Sequence, residues 1–439
     1  MAVFQNNATA SVPVETLTIK AIHRNLPFYF MLKTICLYFK VHLPFSLKAY
    51  EKQQIGVNHC YEDAATDEYI INKIADECYL PANKIILDNI LQKNNRFKVS
   101  YSISGTALEL MQQYRPDVVA SFQQLVNTGA VEILAETYYN SLSFLHSKKE
   151  FDRQLEKHND LIGKLFGIQP QVFRNTELIY NNKLAMHIHE LGYKGILCEG
   201  SRKILNGRTA NKLYASPDTG ELALLLRNTN LSDDIAFRFD DKQWNEYPLT
   251  AEKFAHWIHA HPQESEVINL FMDYETFGVY KHRDTGVFDF LHALPAAVLA
   301  NEEFVFDIPS NVINKYYPRD MYNVPEVISW EDHSVANYIW SENAMQNNTL
   351  KKLYALEKLI VQSQNNNMVQ SWRRLQATDY IHFMSDNNKN ACTHLNLFDT
   401  AQEVYDYFTS ILTDMEISLV NEQIRKNKMH FINQTNNLY

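Results

Sequence analysis

The chain has 439 residues, of which 46% are apolar, and this argues for a large core and against global disorder. Its 41 Lys and Arg against 51 Asp and Glu give a net charge of −10, which disfavours nucleic acid as the main partner and suits a neutral ligand. The length fits one barrel plus an accessory domain better than one small domain.

Cysteine usage and hydropathy indicate the compartment. The cysteines are odd in number, scattered, and form no CxxC pair: Cys36, Cys60, Cys78, Cys198 and Cys392. This pattern predicts reduced thiols in a cytoplasmic protein and argues against a disulfide scaffold or a zinc ribbon. The chain has no run of about 18 apolar residues, so we expect no membrane partner.

The first strand sets the start of the folded region. Residues 1–30 carry little pattern, whereas the apolar run 34–39 begins directly after Met31. We therefore expect residues 1–30 to be a poorly ordered N-terminal extension and Met31 to be the natural start.

Residues 31–325 alternate between apolar runs typical of buried strands and stretches with helical spacing. Strands are predicted at 34–39, 97–103, 131–136, 172–177, 195–198 and 267–271. Helices are predicted at 67–78, after 81, at 116–127, from the capping box Ser147–Glu150 to Gly167, and at 183–191. This alternation predicts an α/β fold with parallel crossovers, either a barrel or a doubly wound sheet. No glycine-rich phosphate loop follows a strand, which disfavours a nucleotide-binding fold.

The sequence pattern changes after about residue 325. Helices are predicted at 335–345, 350–362 and 401–414, without strands between them. We therefore divide the chain into a catalytic barrel over 31–325, a helical C-terminal domain over 326–418, and an Asn-rich polar tail over 419–439 that is expected to fray.

Four predicted strands end in polar residues of the kind used in catalysis: His42, Glu136, Glu177 and Asp273. In a barrel of parallel strands these ends meet at one mouth. Hydrolysis of a glycosidic bond needs two carboxyl groups, and Glu177 and Asp273 can return to the same mouth through the intervening helices. Taken singly, each residue has a structural interpretation, such as a helix cap for Asp273 or an ion pair with Arg174 for Glu136.

Five segments in order resemble the motifs of glycoside hydrolase family 57, which contains α-amylases, 4-α-glucanotransferases and branching enzymes. They are Val-His-Leu-Pro at 41–44, Val-Glu-Ile-Leu at 131–134 with Tyr138 and Tyr139, Phe-Arg-Asn-Thr-Glu-Leu at 173–178, Asp-Tyr-Glu-Thr-Phe-Gly at 273–278, and Leu-Gln-Ala-Thr-Asp at 375–379. Residues 330–346 also resemble a segment of the amylase branch. The resemblance covers about residues 31 to 418.

The resemblance implies an incomplete seven-stranded (β/α) barrel followed by an α-helical C-terminal domain that completes the active site. It implies a retaining mechanism without a cofactor, with Glu177 as nucleophile and Asp273 as general acid/base, their carboxyl groups about 5–5.5 Å apart. Among the substrate-binding candidates, His42 matches a sugar-contacting histidine, Asp379 an acid of the donor subsite, and Glu275 a companion acid.

Two details complete the predicted site. Glu136 is a fourth substrate-binding candidate, which rests on its strand-end position. Leu43 departs from the family pattern, because many members have Gln there, and this puts one polar contact near His42 in doubt.

These residues predict an enzyme that cleaves α-1,4-glucosidic bonds of an α-glucan, most like an α-amylase. A 4-α-glucanotransferase, or a glucan-binding protein with weak or no catalysis, remains an alternative. A metal-dependent deacetylase would need a His/Asp triad that the sequence does not supply, and the cluster His256, His259 and His261 fits a solvated helix end better than a metal site. The oligomeric state stays open.

Overall fold

The protein is described from a computed structural model that covers residues 32–436 except 95, 263, 331–337, 386–394 and 397, with side chains to residue 428. The extension predicted over residues 1–30 lies outside the described residues. In the part that is described, the strands are β1 (Lys33–Val41), β2 (Val99–Ile103), β3 (Val131–Ile133), β4 (Val172–Arg174), β5 (Gly195–Glu199), β6 (Tyr214–Ala215), β7 (Ala223–Arg227), β8 (Val267–Asp273), β9 (Phe304–Phe306) and β10 (Asp320–Met321).

Seven of these described strands are parallel and close into a barrel in the order β1, β2, β3, β4, β5, β7 and β8. The longest pairing joins β1 to β8, with Lys40 opposite Asp273 at its end. The join between β3 and β4 is short, since it consists of one bridge between Ala135 and Phe173. An eight-stranded barrel is the complete form, so the predicted incomplete seven-stranded barrel is confirmed.

The helices that precede and cross over between these strands cover the barrel. They are α1 (Ala64–Ile74), α2 (Leu80–Gln92), α3 (Gly105–Tyr114), α4 (Pro116–Asn127), α5 (Ser143–His146), α6 (Lys148–Phe166), α7 (Asn182–Glu190), α8 (Arg202–Leu205), α9 (Thr229–Ala236), α10 (Ala251–His259), α11 (Val287–Leu299) and α12 (Pro309–Lys315). A π-helix, Ala75–Tyr79, joins α1 to α2. It gives the chain a bulge of the kind often found near functional sites.

The two faces of β1 serve different cores, as expected for the two-residue period of a strand. Ile35, Leu37 and Phe39 belong to the large core beneath the helices. Cys36 and Tyr38 belong to a second cluster, which includes inward residues of five barrel strands, β1, β4, β5, β7 and β8. The ring of Tyr38 meets that of Phe271 edge-on, with centroids 5.4 Å apart. The barrel interior is therefore closed by aromatic rings, and the next inward residues of β1 and β8 lie above it at the mouth.

The C-terminal part of the described chain is helical: α13 (Ala344–Ala355), α14 (Glu357–Ser363), α15 (Asn366–Arg374), α16 (Thr378–His382) and α17 (Ala401–Asn436). Leu353, Trp372 and Phe408 join the same core as Phe39, so these helices pack directly on the barrel. The residues treated as a fraying tail continue α17 to Asn436. The boundary predicted at residue 325 stays a prediction.

The helix predicted over 335–345 is wrong at residues 338–343, which are not helical, and correct at 344–345, where α13 begins. The capping box explains why the helix begins later. The Asn343 side chain accepts a hydrogen bond from Gln346 N at 3.0 Å, and the Gln346 side chain accepts one from Asn343 N at 3.2 Å. None of the described helices has both the length and the apolar character to cross a membrane.

Candidate active site

Charged side chains occupy the inward positions at the carboxyl end of the barrel. Taken in order around the mouth, their signs alternate: Lys40, Glu136, Arg174, Glu199, Arg227 and Asp273. Neighbours form three ion pairs, with separations of 3.9 Å for Lys40–Asp273 and 3.5 Å for both Glu136–Arg174 and Glu199–Arg227. Pairing is what makes such burial of charge tolerable, because an isolated buried charge is strongly destabilising.

Glu177 lies just above this ring, in the turn that follows β4. Its backbone is left-handed, with φ 54° and ψ 24°, and Leu178 follows with φ 49°. Two consecutive non-glycine residues in this region cost about 1–3 kcal/mol each and persist only where the surroundings enforce them. The strand predicted over 172–177 is therefore too long, because the chain leaves the sheet after Arg174 and turns Glu177 into the mouth.

Trp330 fixes the carboxylate of Glu177. Its indole Nε1 donates a hydrogen bond to Glu177 Oε2 at 2.5 Å, and its backbone N donates to Glu177 O at 3.3 Å. The two residues are distant in sequence, so the segment after β10 completes the site that β4 begins.

Burial on its own would raise the pKa of Glu177. The charges of Lys40, His382 and Arg174, helped by the Trp330 donor, outweigh burial and lower this pKa below its usual value. Glu177 is therefore a carboxylate at neutral pH, which is the form that a nucleophile needs.

Asp273 ends β8 at the same mouth. Its side chain is 36% exposed, and its Oδ1 lies 3.9 Å from Lys40 Nζ. It makes no capping hydrogen bond to the turn Tyr274–Thr276, so the helix-cap interpretation has no support in the structure. Lys40 and Arg174 both interact electrostatically with Asp273 and with Glu177. The structure thus brings the two predicted catalytic acids to one pair of cations.

His42 and Asp379 form a second buried unit. His42 Nε2 lies 2.7 Å from Asp379 Oδ2, and Nδ1 lies 2.8 Å from Ser104 Oγ. Burial opposes ionisation of Asp379, but the charge and hydrogen bond of His42 hold its pKa well below its usual range. Asp379 lies in α16, so the helical region delivers an acid to the barrel mouth.

Glu275 lies behind the site. Tyr79, at the end of the π-helix, donates a hydrogen bond of 2.5 Å to its Oε1. Burial, then the nearby charge of Asp273, raises the pKa of Glu275 to about 8. This side chain therefore carries a proton at neutral pH, in contrast to Glu177.

Glu136 lies fully inside the protein, where its carboxylate faces Arg174. The ion pair that the sequence offers as the structural alternative is thus present. Its predicted contact with substrate stays a prediction.

An open pocket with a cavity volume of about 70 Å³ lies beside Asp273. Its walls include Lys40, Arg174, Thr276, Tyr280 and Trp330. The Trp330 ring stacks on Phe237, which also lines the pocket, with centroids 6.0 Å apart and planes at 9°. Flat aromatic faces of this kind suit a sugar ring.

Metal ligands are not assembled in the part of the chain that the structure describes, where no group of three His, Cys, Asp or Glu could hold an ion. His259 Nε2 instead bonds Val298 O at 2.9 Å, and His261 Nδ1 lies 3.2 Å from Asn211 Nδ2.

The family model for glycosyl hydrolase family 57 matches residues 36–325, which is well over half of the sequence. The chain belongs to glycosyl hydrolase family 57. A relative from Methanocaldococcus jannaschii, named "Putative alpha-amylase", is 38% identical over 394 residues, covering 86% of this chain and 83% of that protein.

Two solved structures resemble this family 57 protein in fold. The 4-α-glucanotransferase of Thermococcus litoralis is 16% identical with a TM-score of 0.63, covering 80% of this chain and 56% of that one. The branching enzyme of Pyrococcus horikoshii is 14% identical with a TM-score of 0.62, covering 87% and 88%. At these identities the likeness shows the fold alone, a barrel followed by helices. Family membership makes the protein a glycosidase-type enzyme acting on glucans.

Four contributors to the site were not predicted as site residues. Lys40 is one of them, although a lysine in a buried strand is itself a signal. Arg174 was considered only as a partner of Glu136. Trp330 belongs to the segment 330–346 that resembles the amylase branch, but its contact with Glu177 and the stacking of Phe237 arise from residues distant in sequence.

Proposed function

We propose that this family 57 protein is a retaining α-amylase that cleaves α-1,4-glucosidic bonds of starch- or glycogen-type glucans. The observation that carries the proposal is the pairing of an ionised, backbone-constrained Glu177 with a half-exposed Asp273 around the same two cations, Lys40 and Arg174. A retaining pair needs its carboxyl groups about 5–5.5 Å apart.

In the first step, Glu177 attacks the anomeric carbon while Asp273 gives its proton to the leaving glycosidic oxygen. The bond to the leaving sugar breaks, and an ester forms between the sugar and Glu177. In the second step, Asp273 takes a proton from water, whose oxygen attacks the same carbon and releases Glu177. Two inversions leave the product with the configuration of the substrate.

His42 and Asp379 are proposed to bind the donor sugar. Their mutual hydrogen bond orients the imidazole, and Ser104 fixes its second nitrogen. Glu275 is assigned a supporting role, since it is buried beneath Asp273 and bonded to Tyr79. Glu136 is proposed to act by holding Arg174 near the two catalytic acids.

A 4-α-glucanotransferase is the second candidate. It is favoured by the aromatic pair Trp330 and Phe237, which lines the open pocket on the Asp273 side and offers an acceptor sugar a stacking surface. Transfer differs from hydrolysis only in which hydroxyl reaches the glycosyl-enzyme first.

The deciding experiment incubates the full chain with maltoheptaose and separates the products over time. An α-amylase gives only shorter sugars, and the first anomer detected by NMR is α. Products longer than seven glucose units would mean transfer, and an initial β-anomer would refute retention. Binding of maltoheptaose without any product would instead indicate a glucan-binding protein.

A further inference from the structure

Lys40 occupies an unusual place on β1. It follows an apolar stretch and stands directly opposite Asp273 in the register of β1 and β8. Both side chains point to the mouth, and the Lys40 side chain is only 12% exposed. Taking an ammonium this far out of water is costly unless it is paired or used.

The groups around Lys40 are mostly acids. The charged and titratable side chains that interact with Lys40 or Glu177 come from several elements: Asp273 and Glu275 from the end of β8, Arg174 from β4, Tyr38 from β1, and Asp379 and His382 from α16. Glu136 and His42 lie one contact further away, because Glu136 pairs with Arg174 and His42 with Asp379. Lys40 acts on Glu177, Asp273, Glu275 and Asp379 alike, and it is the strongest single charge acting on Glu177.

The other two cations of the mouth are each paired with a glutamate of the ring, and Arg174 also acts on Glu177 and Asp273. Arg174 faces Glu136 at 3.5 Å, and Arg227 pairs with both Glu199 and Asp233. Lys40 also lines the open pocket together with Asp273. It is therefore placed to respond when charge moves between Glu177 and Asp273.

We propose that Lys40 is a positioning residue that serves as counter-ion to a negative charge that moves during the reaction. The inference rests on the proposed function. In the proposed first step, the charge starts on Glu177 and Asp273 carries the proton that it donates. When the sugar–oxygen bond breaks, Glu177 becomes a neutral ester and Asp273, having lost its proton, becomes the carboxylate. One ammonium balances both states, so no cation has to be reorganised between the two steps.

The test compares three variants of the full chain. Lys40→Met removes the charge at similar length, and Lys40→Arg keeps it. Lys98→Met is the matched control, because Lys98 is also paired with an acid, Asp307 at 2.9 Å, but stands before β2 at the opposite end of the barrel. Lys40→Gln replaces Lys40→Met should the latter fail to fold.

The first readout is the titration of Glu177, followed by NMR of carboxyl-¹³C glutamate and assigned by the signal lost in Glu177→Gln. We expect Lys40→Met to raise its midpoint by at least about one pH unit, since a nearby opposite charge lowers a carboxyl pKa by roughly 1–3 units. The acid limb of kcat/KM should move upward by the same amount. Lys40→Arg and Lys98→Met should leave both within a few tenths of a unit.

Each result decides one question. An unmoved Glu177 midpoint in a folded Lys40→Met or Lys40→Gln protein overturns the role of Lys40, as does an equal shift in Lys98→Met. A wild-type protein without glucan turnover overturns the proposed function instead, and the NMR titration still decides the charge effect of Lys40.

Discussion

Trp330 Nε1 donates a hydrogen bond of 2.5 Å to Glu177 Oε2 across 153 residues of sequence. A hydrogen bond to a charged group contributes about 1.5–3 kcal/mol, and the bond also fixes which way the carboxylate faces. We therefore expect Trp330→Phe to lower kcat/KM on maltoheptaose roughly 10- to 100-fold. Trp257→Phe is the control, since Trp257 packs against Trp244 and Phe254 on α10. Equal activity of the two variants would remove Trp330 from the mechanism.

An added nucleophile should restore activity to a variant that lacks the Glu177 carboxylate. Glu177→Ala is expected to lose glucan turnover, and added azide should restore cleavage of an activated aryl α-glucoside. The product should be the glucosyl azide of inverted configuration, because azide enters from the side of the missing carboxylate. Glu177→Gly serves as a second variant, since glycine adopts φ 54° without strain. If azide yields no glucosyl azide with either variant, Glu177 is not the nucleophile.

The activity lost on removal of the general acid Asp273 should depend on the leaving group of the substrate. Asp273→Asn is expected to reduce kcat on maltoheptaose on the order of 10²–10⁴-fold, the range of a lost general acid. The first step on an activated aryl glucoside needs little protonation and should fall much less in a burst measurement. Near-wild-type activity on maltoheptaose, or an equal loss on both substrates, would contradict the assignment of Asp273.

The raised pKa of Glu275 should make the stability of the folded protein depend on pH. Its pKa is about 8 in the folded protein against roughly 4.3 in an unfolded chain. The folded state therefore holds the proton more tightly, and the wild type loses stability as pH rises from about 4.3 to 8. Glu275→Gln has no such proton to lose. Thermal unfolding should show Tm of the variant rising relative to wild type across this window and levelling above it. A constant or shrinking difference would contradict this.

Much of the barrel follows from sequence alone. The alternation of apolar runs and helical spacing predicts the strands from β1 to β5 and β8, and polar residues at four strand ends predict a mouth. The outer limits of β3 and β4 could not be predicted, because the chain after β3 leaves its pairing with β2 to bridge Ala135 to Phe173, and the chain after β4 turns at Glu177. The late start of α13 depends on a capping box: Asn343 falls inside the helix predicted over 335–345, and Gln346 falls just after it.

The charges of the site were harder to predict than its residue types. The sequence identifies Glu177, Asp273 and Glu275 as acids but assigns no protonation state to Glu275. The protonated state of Glu275 follows from its burial and from the nearby charge of Asp273. The ionised state of Glu177 follows from the charges of Lys40, His382 and Arg174, which outweigh its burial. These neighbours come from different elements, so their effect exists only after folding.

Gly278 ends the octapeptide 271–278, which carries both Asp273 and Glu275, and its φ is 112°. A Cβ at this position would lie 2.0 Å from the Glu77 carbonyl oxygen, in the π-helix that carries Tyr79. Gly278→Ala should therefore lower the free energy of unfolding by more than about 2 kcal/mol, through backbone strain and displacement of that helix together.

Gly129→Ala separates the two contributions. Gly129 has φ 72°, but a Cβ there would meet no atom within 4 Å, so only strain of about 1–2 kcal/mol is expected. Denaturant unfolding of both variants gives the steric contribution as their difference. The hydrogen bond from Tyr79 lowers the pKa of Glu275. Since Tyr79 would move away, Gly278→Ala should raise this pKa further and strengthen the pH dependence described for that acid, whereas Gly129→Ala should preserve it. Equal destabilisation of the two variants would mean that the π-helix yields without cost and does not hold the octapeptide in place.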